Sequence, residues 1–196
     1  MKEIITMKKL NRAVIIISRI VEVFMWVGSG LSAVIALLAA IHKADLIRYF
    51  TDATPGTELL FSGGFALRAV NAEGQPMLAA FVIFFITMAL TFALMAMCAR
   101  NIHLIFKTSE GRTRFSKGAT PFQPDNIRMV REIGIFVIAI PAVQFIMSII
   151  GRVVLGPDMV ESSVGMEKIF LGLVVLALSQ FFAYGMKLQD DVDGLL

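Results

Sequence analysis

The side chains that could do chemistry in this chain are few, and their spacing supports no catalytic or metal-binding set. Hydrolysis or lipid transfer within a membrane needs a serine with a neighbouring base, a pair of acids or clustered histidines. The single cysteine, Cys98, cannot form an internal disulfide and has no metal-ligating neighbours. The two histidines, His42 and His103, are expected on opposite sides of a membrane. We therefore predict that the protein is not an enzyme and holds no metal ion or cofactor.

Polar side chains near or inside apolar stretches are the remaining candidates, because such residues mark transport paths or hold helices together. Arg19 and Glu22 are three residues apart on one helical face, which predicts a local ion pair at the headgroups. Gln144 and Gln180, with Ser148 and Ser179 nearby, are expected to hydrogen-bond between helices. A proton or ion path ordinarily needs an acid or a histidine in the span, and no uncharged core carries one. Transport along Arg19, Glu22, Gln144 and Gln180 is therefore kept only as an alternative.

Four long apolar runs must position these residues. The chain is 57% apolar and only 17% charged, whereas soluble domains are about 45–50% apolar and about 25% charged. A bilayer core of about 30 Å needs roughly 20 helical residues, which each run approximately supplies. The predicted fold class is an all-α membrane protein of four transmembrane helices, forming one domain over residues 1–196. The spans are predicted at about 15–41, 77–99, 133–150 and 169–186.

Basic residues alternate in density between the spans, and this alternation predicts the orientation. Residues 1–19 contain five basic side chains, and residues 100–132 contain seven against three acidic ones. Residues 42–76 contain three basic and four acidic side chains, and residues 151–168 contain only two basic ones. Because basic loops stay in the cytoplasm, we expect both termini and the 100–132 connection inside a bacterial cell membrane.

Two local patterns refine this architecture. Small residues recur every four positions in the first span and predict a seam against a neighbouring helix, with homodimerisation as the alternative. They are Gly28, Ser32, Ala36 and Ala40. Between the first two spans, the short apolar runs 58–62 and 65–70 flank two glycines, which predicts a small extracellular β-hairpin.

The cytoplasmic side has the most distinctive sequence. Pro124 and Asp125 suit the first turn of a helix, which is expected to run as an amphipathic segment into the third span. The chain ends in an acidic tail, which either pairs with the basic 100–132 connection or offers its charge to a partner. The candidate partner-docking residues are Pro121, Phe122, Asn126, Arg128, Arg131, Asp190, Asp191 and Asp193.

These two segments carry a resemblance to a known family. The residues concerned are Pro121-Phe122, Asn126, Arg131-Glu132-Ile133-Gly134, Tyr184-Gly185-x-x-Leu188-Gln189 and Asp193. With them the chain resembles a bacterial family of four-span membrane proteins classed as domain-of-unknown-function 2975. The resemblance covers nearly the whole chain and implies an inner or plasma membrane protein with no established activity. It also implies a cytoplasmic partner, since members of that family are frequently encoded beside a small Xre-type helix-turn-helix regulator.

Two classes of function follow from the sequence. The first is a non-enzymatic regulatory or interaction protein whose connection and acidic tail hold a soluble partner at the bilayer. A helix-turn-helix partner would expose a basic DNA-binding surface, which the three tail aspartates complement. Direct nucleic-acid binding by this chain is not expected, because basic residues beside spans report orientation. The alternative class is a small transporter, channel or peptide-immunity protein.

Overall fold

Four long helices and three short strands form the computed structural model, which describes residues 2–42, 58–60, 64–70, 76–114, 116 and 120–194. The helices are α1 (Lys2–Ile41), α2 (Leu78–Ser109), α3 (Pro124–Leu155) and α4 (Met166–Asp193). The strands are β1 (Glu58–Leu60), β2 (Phe65–Arg68) and β3 (Val160–Ser162), the last preceded by a short 3-10 helix, Pro157–Met159.

All four helices are long and apolar enough to cross a membrane, which confirms the predicted number of spans. The candidate spans have 27 to 33 residues and exceed the uncharged runs from which they were predicted. A helix of 32 residues is about 48 Å long, more than a hydrocarbon core of about 30 Å requires. The helical hydrogen bonding therefore continues past the apolar core into the charged flanks.

Contacts divide the chain into two compact units. The first, called here the loop unit, contains both termini and the connection between α2 and α3. The second, called the sheet unit, contains the three strands and the helical segments next to them. The loop unit consists of Met1–Met25, Leu94–Ile138 and Lys168–Leu196, and the sheet unit of Trp26–Ala93 and Ala139–Glu167.

The predicted hairpin is present in the sheet unit. β1 pairs antiparallel with β2, with Glu58 opposite Arg68 and Leu60 opposite Ala66, while Gly63 lies outside the described residues. The other edge of β2 pairs antiparallel with β3, placing Leu67 opposite Val160. The sequence interpretation missed this third strand, which lies between α3 and α4. Leu67 is fully buried in a cluster that also includes Ile83, Met147, Leu155 and Val160.

Strand β2 and the glycine that precedes it run alongside α3 between Gln144 and Gly151. A Cβ atom at Gly64 would clash with Oε1 of Gln144, and one at Gly151 would lie 3.4 Å from Leu67. Gly64 and Leu67 are three strand residues apart, and Gln144 and Gly151 are seven helical residues apart. Both separations correspond to about 10 Å, so the strand runs alongside the helix. Gln144 is buried against the hairpin, and its Oε1 has no hydrogen-bond partner among the described residues.

The predicted small-residue stripe on α1 is present in part. Gly28 faces the ring of Phe92, with a Cβ position 3.2 Å from Cδ2, and Ser32 and Ala36 are buried. Ala40 is exposed, and Ala39 is buried in its place. A step of four residues turns the helix by about 400°, so a stripe at steps of four rotates by about 40° each time. After three steps the fourth residue has left the buried face.

In the loop unit, α3 and α4 cross at two glycines. A Cβ at Gly172 would lie 2.8 Å from the carbonyl oxygen of Gly134, and a Cβ at Gly134 would lie 3.0 Å from that of Gly172. The two backbones are therefore in contact. Such close approach lets helices pack well in lipid, where van der Waals contact drives association.

Candidate functional site

Three buried polar side chains shape the connection between α2 and α3 in the loop unit: Thr108, Gln123 and Asn126. Asn126 Nδ2 donates to the carbonyl of Pro121 at 2.9 Å and to Ser109 Oγ at 3.0 Å. Gln123 Nε2 donates to the carbonyl of Thr120 at 2.6 Å. Buried polar groups need partners; the amide nitrogens of both side chains find them, while Asn126 Oδ1 has none among the described residues. The 120–126 segment thus has a defined shape.

The helix α3 begins where the sequence predicted. Pro124 is its first residue and Asp125 lies in its first turn, where a missing donor is harmless and a negative charge suits the helix dipole. The amide of Ile127 donates to the carbonyl of Gln123 at 3.1 Å, which starts the helical hydrogen bonding. The buried amide of Asn126 therefore joins the end of α2, the segment and the start of α3.

The 120–126 segment packs against the end of α4, and this contact is called the junction below. Phe122 covers Gly185, where a Cβ would lie 2.6 Å from the ring, and its centroid is 5.9 Å from that of Phe182. Thr120 Oγ1 donates to Gln189 Oε1 at 2.9 Å. Residues 182, 185 and 189 lie on one face of a helix. The junction therefore joins one face of α4 to the segment by neutral groups.

The acidic tail does not pair with the connection by charge in the described residues. Asp190 and Asp191 are exposed, and neither forms an ion pair. The side chain of Asp193 lies outside the described residues. The contact that the structure shows between the end of α4 and the connection is the neutral hydrogen bond from Thr120 to Gln189. The tail carboxylates of residues 190 and 191 are left available.

The predicted basic docking residues differ in their surroundings. Arg128 Nε lies 3.4 Å from Glu132 Oε1, one turn further along α3, while Arg131 is exposed. Glu132 also accepts a hydrogen bond of 2.9 Å from Asn101 Nδ2 of α2. Glu132 thus links α2 to α3; both arginines are exposed, and Arg131 forms no ion pair with a described residue.

The intramembrane polar candidates do not converge on one path within the loop unit. Arg19 and Glu22 form the predicted ion pair at 2.8 Å, with Glu22 buried and the Arg19 side chain 58% exposed. Gln180 lies on the exposed surface of α4. His103 is buried, with Nδ1 2.9 Å from the carbonyl oxygen of Ile15.

The two serines expected to link helices bond to their own helices. Ser148 Oγ donates to the carbonyl of Phe145 at 2.8 Å, and Ser179 Oγ donates to that of Leu176 at 2.6 Å. A serine hydroxyl within a helix reaches the carbonyl three or four residues earlier. Because that carbonyl belongs to the same helix, no neighbouring helix is needed as a partner. The prediction of hydrogen bonds between helices at these serines was wrong.

The described residues contain no group of three or more His, Cys, Asp or Glu side chains that could hold a metal ion. No protein-family model, curated protein or solved structure matches the chain. The relation to the four-span family named above stays a prediction. The structure nevertheless gives several of the residues that carry the resemblance a physical role, since Phe122, Gly185 and Gln189 make the contacts of the junction and Asn126 shapes the segment that forms it.

The sequence interpretation missed the polar residues that hold the junction in place. The sequence did not predict the contacts of these side chains, because single hydroxyls and amides in a connection usually face water. They are Thr108, Thr120 and Gln123. The available signal was their concentration around two prolines, Pro121 and Pro124, in an otherwise basic connection. Backbone carbonyls near prolines lack the usual neighbouring donors, so side-chain amides are the natural partners there.

Proposed function

We propose that this protein is a non-enzymatic interaction protein of a bacterial cell membrane that holds a soluble cytoplasmic partner at the junction. The observation that carries the proposal is the combination of a well-packed neutral junction with unpaired carboxylates beside it. Charges that do not satisfy each other within the chain are free to complement a partner. A segment of fixed shape loses little entropy on binding, which favours specific recognition.

The proposed orientation places both termini and the junction in the cytoplasm. Four spans return the chain to the side on which it began, and the basic residues are densest at the N-terminus and in the connection between α2 and α3. The hairpin would then lie outside. The resemblance to the four-span bacterial family supports the same location.

The docking surface that we propose combines apolar and charged groups. Pro121 is exposed and Phe122 is 38% exposed, so both present apolar surface beside the junction. Asp190 and Arg131 are exposed and offer opposite charges. A small helix-turn-helix protein suits this surface, because its DNA-binding face is basic and would be attracted to the acidic tail. Docking of that face would keep the partner away from DNA.

Cross-linking in native membranes, gentle solubilisation and mass spectrometry of the co-purified proteins test this proposal. We expect a small basic DNA-binding protein to be recovered with the full-length chain. The double variant Asp190→Asn/Asp193→Asn should reduce that recovery, because it removes two negative charges while it keeps Gln189 and the junction.

A matched control removes two acidic charges from the sheet unit. Asp158 and Glu167 are exposed, and the double variant Asp158→Asn/Glu167→Gln should leave recovery of the partner unchanged. Equal recovery with the tail variant and with the wild type would refute the role of the tail. Recovery of the chain without any partner would refute the proposal as a whole.

A transporter, channel or peptide-immunity protein is the second candidate, favoured by one observation. Glu22 is a buried acid on a helix that can span the membrane, and ionisable residues in such positions are usually functional. This candidate predicts that Glu22→Gln abolishes flux or protection in cells while the protein still assembles. Normal flux or protection with this variant would exclude Glu22 from such a path.

A further inference from the structure

A groove of about 400 Å³ runs along the end of α4. Its described walls are formed by Gln180, Phe181, Ala183, Tyr184 and Lys187. Phe181 is 71% exposed and Tyr184 is 64% exposed, so large aromatic surface is presented to the surroundings. At about 100° per residue, this side of the helix is opposite residues 182, 185 and 189, which form the junction. The groove is therefore separate from the proposed docking contact.

Chemical groups follow one another along the groove in a definite order. Gln180, Tyr184, Lys187 and Asp191 lie within a sector of about 60° on the helix, so they share one face. Lys187 directly follows the uncharged run 169–186, which places it at the depth of the lipid headgroups. Asp191 lies about 6 Å further along the axis, toward water. The face thus runs from aromatic to cationic to anionic.

The two charges on this face do not neutralise each other. Lys187 and Asp191 are four residues apart and exposed, and neither forms an ion pair with any described residue. Tyr184 likewise makes no hydrogen bond within the described part of the chain. Each group is therefore available to a molecule that lies in the groove.

We propose that the groove binds a phospholipid with a phosphoethanolamine headgroup. The Lys187 ammonium binds the phosphate, the Tyr184 hydroxyl donates to a phosphate oxygen, and the Asp191 carboxylate binds the primary ammonium of the lipid. Phe181 packs against an acyl chain. In this headgroup the phosphate lies nearer the glycerol and the ammonium lies further out, which is the order of the complementary charges on α4.

Other phospholipids fit the same face less well. A phosphoglycerol headgroup carries the negative charge but no ammonium, so it would leave Asp191 without a partner and close to the phosphate. A phosphocholine headgroup carries a quaternary ammonium, which has no N–H to donate to a carboxylate. The charge order therefore selects a primary ammonium. This inference does not depend on the proposed partner, because it concerns the opposite face of α4.

Native mass spectrometry of the delipidated full-length protein tests the site. The probes are phosphatidylethanolamine, phosphatidylglycerol and phosphatidylcholine with identical acyl chains, each added at the same concentration. We expect phosphatidylethanolamine to bind about fivefold more tightly than the other two, the upper range for one exposed charge pair. Equal binding of all three lipids, or tightest binding of phosphatidylglycerol, would overturn the proposal.

Single substitutions test which part of the headgroup is bound by Lys187 and which by Asp191. Lys187→Gln should weaken binding of all three lipids, since each carries a phosphate. Asp191→Asn should remove the preference for phosphatidylethanolamine and should not weaken binding of the other two lipids. Asp190→Asn is the matched control, because residue 190 lies about 100° away from residue 191 around the helix. A loss of preference with Asp190→Asn as large as with Asp191→Asn would refute the assignment to this face.

Discussion

The contact between Phe122 and Gly185 predicts that Gly185→Ala destabilises the wild-type protein but stabilises the Phe122→Ala variant. In Gly185→Ala the new Cβ would lie 2.6 and 2.8 Å from two ring carbons of Phe122, about 1 Å closer than carbon atoms normally approach. The ring must move, and because Phe122 is already 38% exposed, it can move outward. In Phe122→Ala the obstacle is gone, and the same glycine can be replaced without a clash.

The magnitude follows from the buried area of the ring. About three-fifths of a side chain of roughly 200 Å² is buried, which is worth about 3 kcal/mol at about 25 cal/mol per Å². Partial displacement of Phe122 would cost about half of this, and alanine in a helix offsets up to about 1 kcal/mol. We therefore expect Gly185→Ala to destabilise the wild type by about 1 kcal/mol. In the Phe122→Ala background it should stabilise by up to about 1 kcal/mol.

The assay is equilibrium unfolding of the purified protein in mixed micelles, with hydrogen exchange of residues 120–127 as the local readout. Gly30→Ala is the matched control, because no heavy atom lies within 4 Å of its Cβ position. It should have the same effect in both backgrounds. Effects of Gly185→Ala that agree between the two backgrounds within about 0.5 kcal/mol would mean that the residues are independent. That result would refute the junction as described.

Two further predictions concern other close contacts. Gly172→Ala should destabilise the protein by about 1–3 kcal/mol in the same unfolding assay, because its Cβ would meet the backbone carbonyl of Gly134, which cannot rotate away; wild-type stability would contradict the backbone contact. Gly64→Ala should increase proteolysis of the hairpin, and Gln144→Ala in the same chain should reverse part of the increase, since it removes the clashing Oε1 and Cδ atoms but keeps the Gln144 Cβ, 2.9 Å from the new Cβ. Failure of this second substitution to restore protection would show that Gly64 is needed for another reason.

The long-range architecture was predictable because its signals are local in sequence. Each span is a continuous apolar run, and the bilayer requires that every backbone polar group be satisfied within the helix. The hairpin between α1 and α2 was predictable for a similar reason, since its two strands are separated by a few residues containing glycine. The start of α3 at Pro124 follows from the chemistry of a single helical turn.

Two of the missed features depend on partners far away in the chain, and a third depends on the exact pitch of a helix. The strand β3 has three residues and is defined by its pairing with β2, so its own sequence contains little periodicity. The burial of Ala39 in place of Ala40 depends on a rotation of about 40° per step along α1, which a simple repeat of four ignores. The pairing of Thr120 with Gln189 joins residues 69 positions apart. No local rule selects that partner over water.

The junction is formed by neutral groups, so its response to salt should differ from that of the proposed docking contact, which depends on charge. Hydrogen bonds such as the one from Thr120 to Gln189 and ring packing such as that of Phe122 on Gly185 involve no net charge, so salt screens them little. Docking through Asp190 is an attraction between exposed charges, which added salt weakens because the Debye length falls from about 10 Å at 0.1 M to about 3 Å at 1 M. Rising salt should release the partner while hydrogen exchange of residues 120–127 stays constant. If exchange increased together with release, the tail charges would be part of the junction, and the separation between the two contacts would be wrong.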